Sequence, residues 1–441
     1  MSGIAEVLLN QGFHVSGSDL KQTAVTDRLA TLGCDVYIGH LDANIKGADV
    51  LVVSSAVPPS NVEVIAAKEK KIPVISRIEM LAELMRMKYS IAVAGTHGKT
   101  TTTAMVASVL EYGNLDPTVV DGGIIRSLDS NVRLGDSEFM VVEADEAYGS
   151  IKKISPTIAV VTNIDNDHLD YYHTMDEIKK AFLNFINRVP FYGVAIVCLD
   201  EGNIQSLVPD IEKRFITYGI EARADFTATG IQVDGTGSSY MVNRNGQALG
   251  KMHIKLPGRH NVANSLVAVA VGLELGIPIE TIARSLQSFP GVRHRFELLG
   301  DVDDILVIDD YGHHPTEIKA TLRAARDTYD RRIVAIFQPH RYTRVSLLAD
   351  DFARCFYQTD VLIVTELYSA LEEPIEGISG EMLATSIRDY GHKNVVYIPD
   401  KEKIAGVVCG MIQPGDLVVT LGAGDIWEVG KEVVEKLRTG C

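Results

Sequence analysis

The seven residues Gly95-Thr96-His97-Gly98-Lys99-Thr100-Thr101 set two glycines, a lysine and paired hydroxyls between an apolar run, Ser90–Ala94, and a helix-forming run, Thr101–Leu110. That order suits a phosphate cradle. Glycines let backbone N–H groups close on phosphate oxygens, and a helix N-terminus favours negative charge. Lys99 is placed to reach the terminal phosphates, and the Thr100 hydroxyl to sit on Mg²⁺. Val93 stands where the first glycine of the full phosphate-loop pattern belongs. A plain glycine turn before a buried helix is the competing reading. The preceding strand and the paired threonines favour phosphate.

Further chemistry-bearing residues collect where apolar runs end. Glu143, Asp145 and Glu146 lie at or just past the end of the run Phe139–Ala144, and Asn163, Asp165, Asp167 and His168 at or just past the end of Ile158–Asn163. Buried parallel strands gather ligands at such carboxyl ends. Mg²⁺ prefers oxygen ligands, so Glu143 joins Thr100 as a candidate, with His168 beside them. A hydrogen-bonded loop histidine and a solvated strand end are the alternatives. In Lys255–Ala268, His260, Asn261 and Asn264 stand at the start of an apolar helix. Asn261 reads as an N-cap, and Asn264, inside the first turn, as a base or ribose contact. Arg293, His294 and Arg295 follow, suited to a phosphate clamp or an interdomain salt bridge. Asp309 to Glu317 packs two acids, Tyr311, His313 and His314 at a strand end, with Pro315 placed for a first helical turn. In Pro339–Arg344, the i,i+3 pair Arg341 and Arg344 predicts two guanidinium groups on one helical face, fit for a small carboxylate or for a charged surface turn. Gly422-Ala423-Gly424-Asp425 is a last glycine turn, weak by itself.

The elements that must position these groups alternate. Residues 1–88 show a helix at Ile4–Gln11 and strands at Phe13–Ser16, Asp49–Ser54 and Pro73–Ser76. Residues 89–298 carry buried strands, including Val194–Leu199, and a glycine-rich alternating stretch, Arg223–Lys255, that reads as an antiparallel insertion. Residues 299–441 alternate again, with strands at Ile305–Asp309, Ile333–Phe337, Val361–Thr365, Val395–Ile398 and Leu417–Leu421. The chain is α/β in three domains: 1–88, 89–298 and 299–441. Its 441 residues supply ample core, and 58 acidic against 42 basic residues give a net charge of −16. That balance speaks against nucleic acid and anionic membrane surfaces. No apolar span of about 18 residues and no signal peptide is evident. Cys34, Cys198, Cys355, Cys409 and Cys441 are odd in number and widely spaced. They predict neither a disulfide framework nor a zinc knot, and fit a reducing cytoplasm.

Five stretches in this order, Ala94–Met105, Val161–Asp170, Pro257–Leu266, Asp309–Glu317 and Gln338–Arg344, resemble the Mur ligase family over essentially the whole chain. The resemblance implies an N-terminal Rossmann-like domain for a UDP-linked substrate and a central P-loop ATPase-like parallel sheet for ATP. A C-terminal Rossmann-like domain would take the amino acid. It implies ATP-dependent joining of L-alanine to the lactyl carboxylate of UDP-N-acetylmuramate through an acyl phosphate, in peptidoglycan synthesis. A ligase attaching a recycled peptide to the same sugar, or a homologue impaired in catalysis, remain alternatives. ATP and Mg²⁺ are the implied cofactors, and a cytoplasmic monomer or weak homodimer the implied state.

By the same resemblance, Gly95 to Thr101 cradle ATP and Lys99 binds the β- and γ-phosphates. Thr100 and Glu143 hold one Mg²⁺, and Glu143 with His168 a second. Asn261, Asn264 and Asp310 meet the nucleotide. Arg295 lies by the γ-phosphate, and His313 shapes the ATP side. Ser18 and Asp19 lie by the uridine, Gly122, Gly123 and Asn131 by the muramyl group, and Tyr311, Arg341 and Arg344 around L-alanine. Some positions depart from the pattern. Met1 follows where a first strand and glycine loop are usual, so these are expected to be missing. Ala147 and Tyr148 replace Ser and Asp, His294 replaces an arginine, and Leu371 replaces a common glycine. Leu183 falls where many relatives carry a carbamylated lysine, so no such modification is expected.

Overall fold

The computed structural model describes residues 1–54, 56–125 and 130–440. The N-terminal segment opens on a helix, Ser2–Asn10. It then forms two separate parallel pairs, β1 (Ser16–Asp19) with β2 (Asp35–Ile38) and β3 (Leu51–Val53) with β4 (Val74–Ser76). The expected strand at Phe13–Ser16 lies three residues further on, for a local reason. Gly12 takes φ +85, Gly12 N–H donates to Leu9 O and Phe13 N–H to Leu8 O. This double bond pattern caps a helix C-terminus, so Phe13 closes the helix.

The central sheet is built from β5 (Tyr89–Ala94), β6 (Thr118–Ile125), β7 (Ser130–Arg133), β8 (Phe139–Glu143), β9 (Ile158–Val161), β10 (Val194–Cys198), β11 (Phe215–Gly219), β12 (Phe226–Asp234), β13 (Gly237–Arg244) and β14 (Gln247–Ile254). They run in the order β14-β13-β12-β11-β10-β9-β5-β8-β6-β7. Pairing is parallel from β6 through β8, β5 and β9 to β10. It is antiparallel across β12, β13 and β14, where the sequence predicts the insertion. Ile91 to Ala94, Val141, Val142 and Ile158 to Val161 are almost wholly buried. Strands covered on both faces lose alternation and read as continuous apolar runs.

The last sheet orders β15 (Glu297–Val302), β16 (Ile305–Asp310), β20 (Asp416–Leu421), β17 (Arg332–Phe337), β18 (Val361–Val364) and β19 (Val395–Tyr397). Only β15 is antiparallel to its neighbour. Successive side chains point to opposite faces, so each strand feeds two cores. Leu306, Ile308, Ala335 and Phe337 join the helices Pro315–Thr328 and Gly380–Asp389. Val307, Val334 and Ile336 join Lys401–Cys409 and Trp427–Thr439.

By compactness the chain divides into two units. The first takes Met1–Ile124, resumes after a three-residue break and continues to Thr217, and includes Ala270–Pro278; the second takes that break, Tyr218–Val269 and the chain from Ile279. Among the described residues no helix is long and apolar enough to cross a membrane. Cys34, Cys198 and Cys355 are buried thiols outside any disulfide, while Cys409 stands in a disulfide, which the spacing of the cysteines did not predict.

Arg332 and Asp416 face each other at the starts of β17 and β20, Nε to Oδ1 at 2.9 Å and NH2 to Oδ2 at 2.7 Å. The Asp416 carboxylate is 1% exposed and also accepts from Gln413 N–H. Asp416→Ala strands these donors and is expected to destabilise the protein by roughly 2 kcal/mol in urea unfolding. Phe191→Ser, at a residue 94% exposed, should stay within about 0.5 kcal/mol.

Candidate active site

The phosphate loop emerges where β5 ends between two parallel neighbours. Gly95 has φ +135, and a Cβ there would lie 2.0 Å from Thr162 Oγ1. Gly98, at φ +78, precedes the helix Lys99–Tyr112. The segment after β9 clamps the loop. Thr96 N–H donates to Asn163 O at 3.1 Å, and His97 N–H to Asn163 Oδ1 at 2.7 Å. Asn163 Nδ2 and Thr162 Oγ1 both donate to His97 O, at 3.0 and 2.6 Å. Asp165 N–H donates to Thr96 Oγ1 at 2.9 Å, and its carboxylate lies 3.0 Å from His97 Nε2. Thr100 and Thr101 follow, buried in the first helical turn.

Lys99 folds back over this loop. Its Nζ donates to Gly95 O at 2.7 Å, Thr96 O at 3.2 Å and Glu146 Oε2 at 2.8 Å. Burial disfavours its charge, but the Glu146, Asp145 and Glu143 carboxylates outweigh burial and raise its pKa. Glu146 is 3% exposed. Burial pushes its carboxyl up and Lys99 pulls it back in part. Its Oε1 is buried with no hydrogen-bond partner and lies 3.9 Å from His168 Nε2. Asp145, Glu146 and His168 bring ligand atoms within 4.8 Å of one another.

Glu143 ends β8 elsewhere in the cluster. Its Oε2 accepts from Gly122 N–H at 2.9 Å, and a Cβ on Gly122 would lie 2.6 Å from that oxygen. Asp121, buried beside it, is raised well above the usual carboxylate range by burial and by the Glu143 charge. Gly123 N–H reaches Asp121 Oδ1 at 3.4 Å. Asn131 is on β7, with its side chain outside the described residues. The cluster's donors fit a hard divalent cation, mostly oxygen with one imidazole nitrogen, and the orphaned Glu146 Oε1 is a buried acceptor in want of one. The sequence places Glu146 in an acidic turn at a strand end, where ligands gather. The packing makes it the carboxylate that touches Lys99.

The second unit holds its own cluster. Asn261 lies inside the helix Arg259–Glu274 and is not its cap. Its amide donates to Pro257 O at 2.8 Å and accepts from Asn264 at 3.4 Å. The Arg295 guanidinium lies 4.7 Å over the Tyr311 ring. From there rings succeed one another: Tyr311 to His313 at 5.2 Å, His313 to His340 at 5.7 Å, and His340 stacked on Tyr368 at 5.6 Å. Pro315 opens the helix behind His314, as its position predicts. The arginine pair departs from expectation. Arg341 has φ +69 and precedes the helix Tyr342–Leu347, so the two side chains share no helical face. Arg341 Nε meets Glu372 Oε1 at 2.6 Å, and Arg344 NH1 lies 3.1 Å from His340 Nδ1. In the N-terminal segment, Ser18 Oγ donates to Glu63 Oε2 at 2.7 Å and lies 2.9 Å from His40 Nδ1, while exposed Asp19 accepts from Lys21 N–H.

Comparison with known proteins accounts for this arrangement. Residues 1–89 match the Mur ligase family catalytic domain, 93–272 the Mur ligase middle domain, and 294–424 the Mur ligase glutamate ligase domain. The chain belongs to the Mur ligase family. It is 55% identical to a UDP-N-acetylmuramate–L-alanine ligase of Geotalea uraniireducens over 438 residues, 99% of this chain and 96% of that protein. The crystal structure of the UDP-N-acetylmuramate–alanine ligase of Thermotoga maritima aligns with TM-score 0.81 at 28% identity, covering 100% and 97% of the two chains. A murein peptide ligase of Psychrobacter arcticus aligns with TM-score 0.69 at 25% identity, covering 99% and 96%.

Asp310 gives the site a pH dependence. Its carboxylate is buried and accepts from Phe296 N–H at 2.8 Å, Gly312 N–H at 2.9 Å and Thr321 Oγ1 at 3.0 Å. Burial nonetheless raises its pKa to about 6, against the pull of Arg295. A folded pKa above the unfolded one means that this stabilisation is full below the unfolded value of 3.8 and is lost as pH rises through about 6. Urea unfolding at pH 4 and pH 7 should show the wild type losing on the order of 3 kcal/mol relative to Asp310→Asn.

Proposed function

We propose that this protein joins L-alanine to the lactyl carboxylate of UDP-N-acetylmuramate, with ATP converted to ADP and phosphate. The observation that carries the reading is Lys99, held at a helix N-terminus by a glycine loop. The 55% identical ligase supports the choice of substrates. The proposed division is 1–88 for the UDP substrate, 89–298 for ATP and 299–441 for the amino acid.

The chemistry follows from charge. The substrate carboxylate attacks the γ-phosphorus, the bond to ADP breaks, and an acyl phosphate forms. The amine then attacks the acyl carbon and phosphate leaves. Phosphoryl transfer needs alignment and neutralisation of charge more than covalent help. In this reading Gly95, Thr96, His97, Gly98 and Thr101 shape the cradle, and Lys99 binds the β- and γ-phosphates. Thr100, Glu143 and His168 hold Mg²⁺, which supplies positive charge to the transferring phosphoryl group. Asn261, Asn264 and Asp310 border the nucleotide, with Arg295 and His313 beside the reacting groups. Ser18, Asp19, Gly122, Gly123 and Asn131 face the UDP sugar, and Tyr311, Arg341 and Arg344 the amino acid. The protein acts in the cytoplasm as a monomer or weak homodimer, on small molecules only.

A second reading, attachment of a ready-made peptide to the same sugar, draws support from the likeness to a murein peptide ligase. Purified protein with ATP, Mg²⁺ and UDP-N-acetylmuramate should release phosphate and form a nucleotide-linked product with L-alanine and not with the tripeptide. Product with the tripeptide alone selects the second reading, and product with neither refutes both. Lys99→Ala should lower kcat by at least roughly a hundredfold. It should also lower the melting temperature, because Glu146 is then left buried without its cation.

A further inference from the structure

An ammonium group has three protons to donate, and Lys99 Nζ meets three acceptors of the protein itself. Two are backbone carbonyls of its own loop, Gly95 O and Thr96 O; the third is Glu146 Oε2. A phosphate oxygen that takes Lys99 must displace one of them. The carbonyls belong to a loop clamped by Thr162 and Asn163. The Glu146 carboxylate ends a side chain with three rotatable bonds, and its second oxygen takes no hydrogen bond from the lysine. That oxygen is buried, has no hydrogen-bond partner and lies 3.9 Å from His168 Nε2. The Glu146 backbone is anchored separately, because Tyr172 Oη donates to Glu146 O at 2.7 Å. The side chain can therefore shift while the chain stays in place.

We propose that Glu146 is an exchangeable counter-ion, a positioning residue that holds Lys99 until phosphate replaces it and then gives its carboxylate to a divalent cation beside His168. The inference rests on the phosphate-site reading above. One carboxylate serves two cations in turn, so it couples the two ligands. Without a divalent cation, phosphate binding leaves Glu146 buried, unpaired and repelling the phosphate. With the cation, the released carboxylate is neutralised. By linkage, each ligand strengthens the other's binding by the same factor. Glu146→Gln removes the charge that competes with phosphate while keeping the side chain's shape.

The test is calorimetric titration of the intact protein with ADP, once in EDTA and once in Mg²⁺, for the wild type, Glu146→Gln and Glu146→Asp. The variants should bind ADP in EDTA roughly tenfold more tightly than the wild type, and the Mg²⁺ enhancement should shrink by a similar factor. The aspartate variant, whose carboxylate is retracted by one methylene, should move the same way. A purely structural role for Glu146 changes melting temperature and leaves the Mg²⁺-to-EDTA ratio alone. An EDTA affinity equal to or below wild type in both variants, with the ratio unchanged, overturns the proposal. So does failure of both variants to fold, which makes Glu146 a fixed structural partner of Lys99. A wild type that binds no ADP, matched by Lys99→Ala, sinks the phosphate-site reading itself.

Discussion

Parallel hydrogen bonding of β5 to β8 on one side and β9 on the other is the constraint on which the site depends. Val93 pairs with Glu143 on β8 and with Val160 on β9. Parallel strands deliver their carboxyl ends to one edge of a sheet. The phosphate loop, the acidic turn after Glu143 and the segment from Thr162 to His168 therefore emerge side by side. Asn163 then ties two of these turns together through one amide, which donates to His97 O and accepts from His97 N–H. Residues 66 positions apart in sequence are fixed to each other within hydrogen-bond distance.

The acids divide by their surroundings. Some meet hydrogen-bond donors and are stabilised as anions. Burial raises Glu372 and Asp425, but hydrogen bonds from Thr343 and Arg341 to the first, and from Lys401 and Gln338 to the second, hold both below the ordinary range. Three acids buried more deeply behave in the opposite way. Asp121, Glu146 and Asp310 are all raised, burial being the largest cause in each. Concentrating carboxylates away from water destabilises the fold unless cations join them. Lys99 supplies part of that charge beside Glu146, and Arg295 beside Asp310.

How much was legible depended on range. The buried parallel strands announced themselves as apolar runs, and the antiparallel insertion as alternation, because both patterns reflect which faces are covered. The strand, glycine turn and helix around Lys99 were legible because the glycines, lysine and threonines lie within seven positions. The N-terminal strand was misplaced because one exposed residue, Phe13, completes a helix cap that apolarity alone does not reveal. The arginine pair was misread for a related reason. Spacing implies one helical face only if both residues are helical, and the left-handed backbone of Arg341 puts it outside the helix.

The sequence by itself determined the α/β class, the family and the glycine loop between β5 and its helix, since each is written in local pattern and residue order. Tertiary structure decided the partners. Glu146 sits 47 positions from Lys99, and nothing in its neighbourhood distinguishes it from Asp145 or Glu143. The ring succession from Tyr311 to Tyr368 likewise joins residues from separate strand ends. Pairing at such separations follows from strand order and register. Those are set by the burial of whole faces, so no local stretch of sequence carries them.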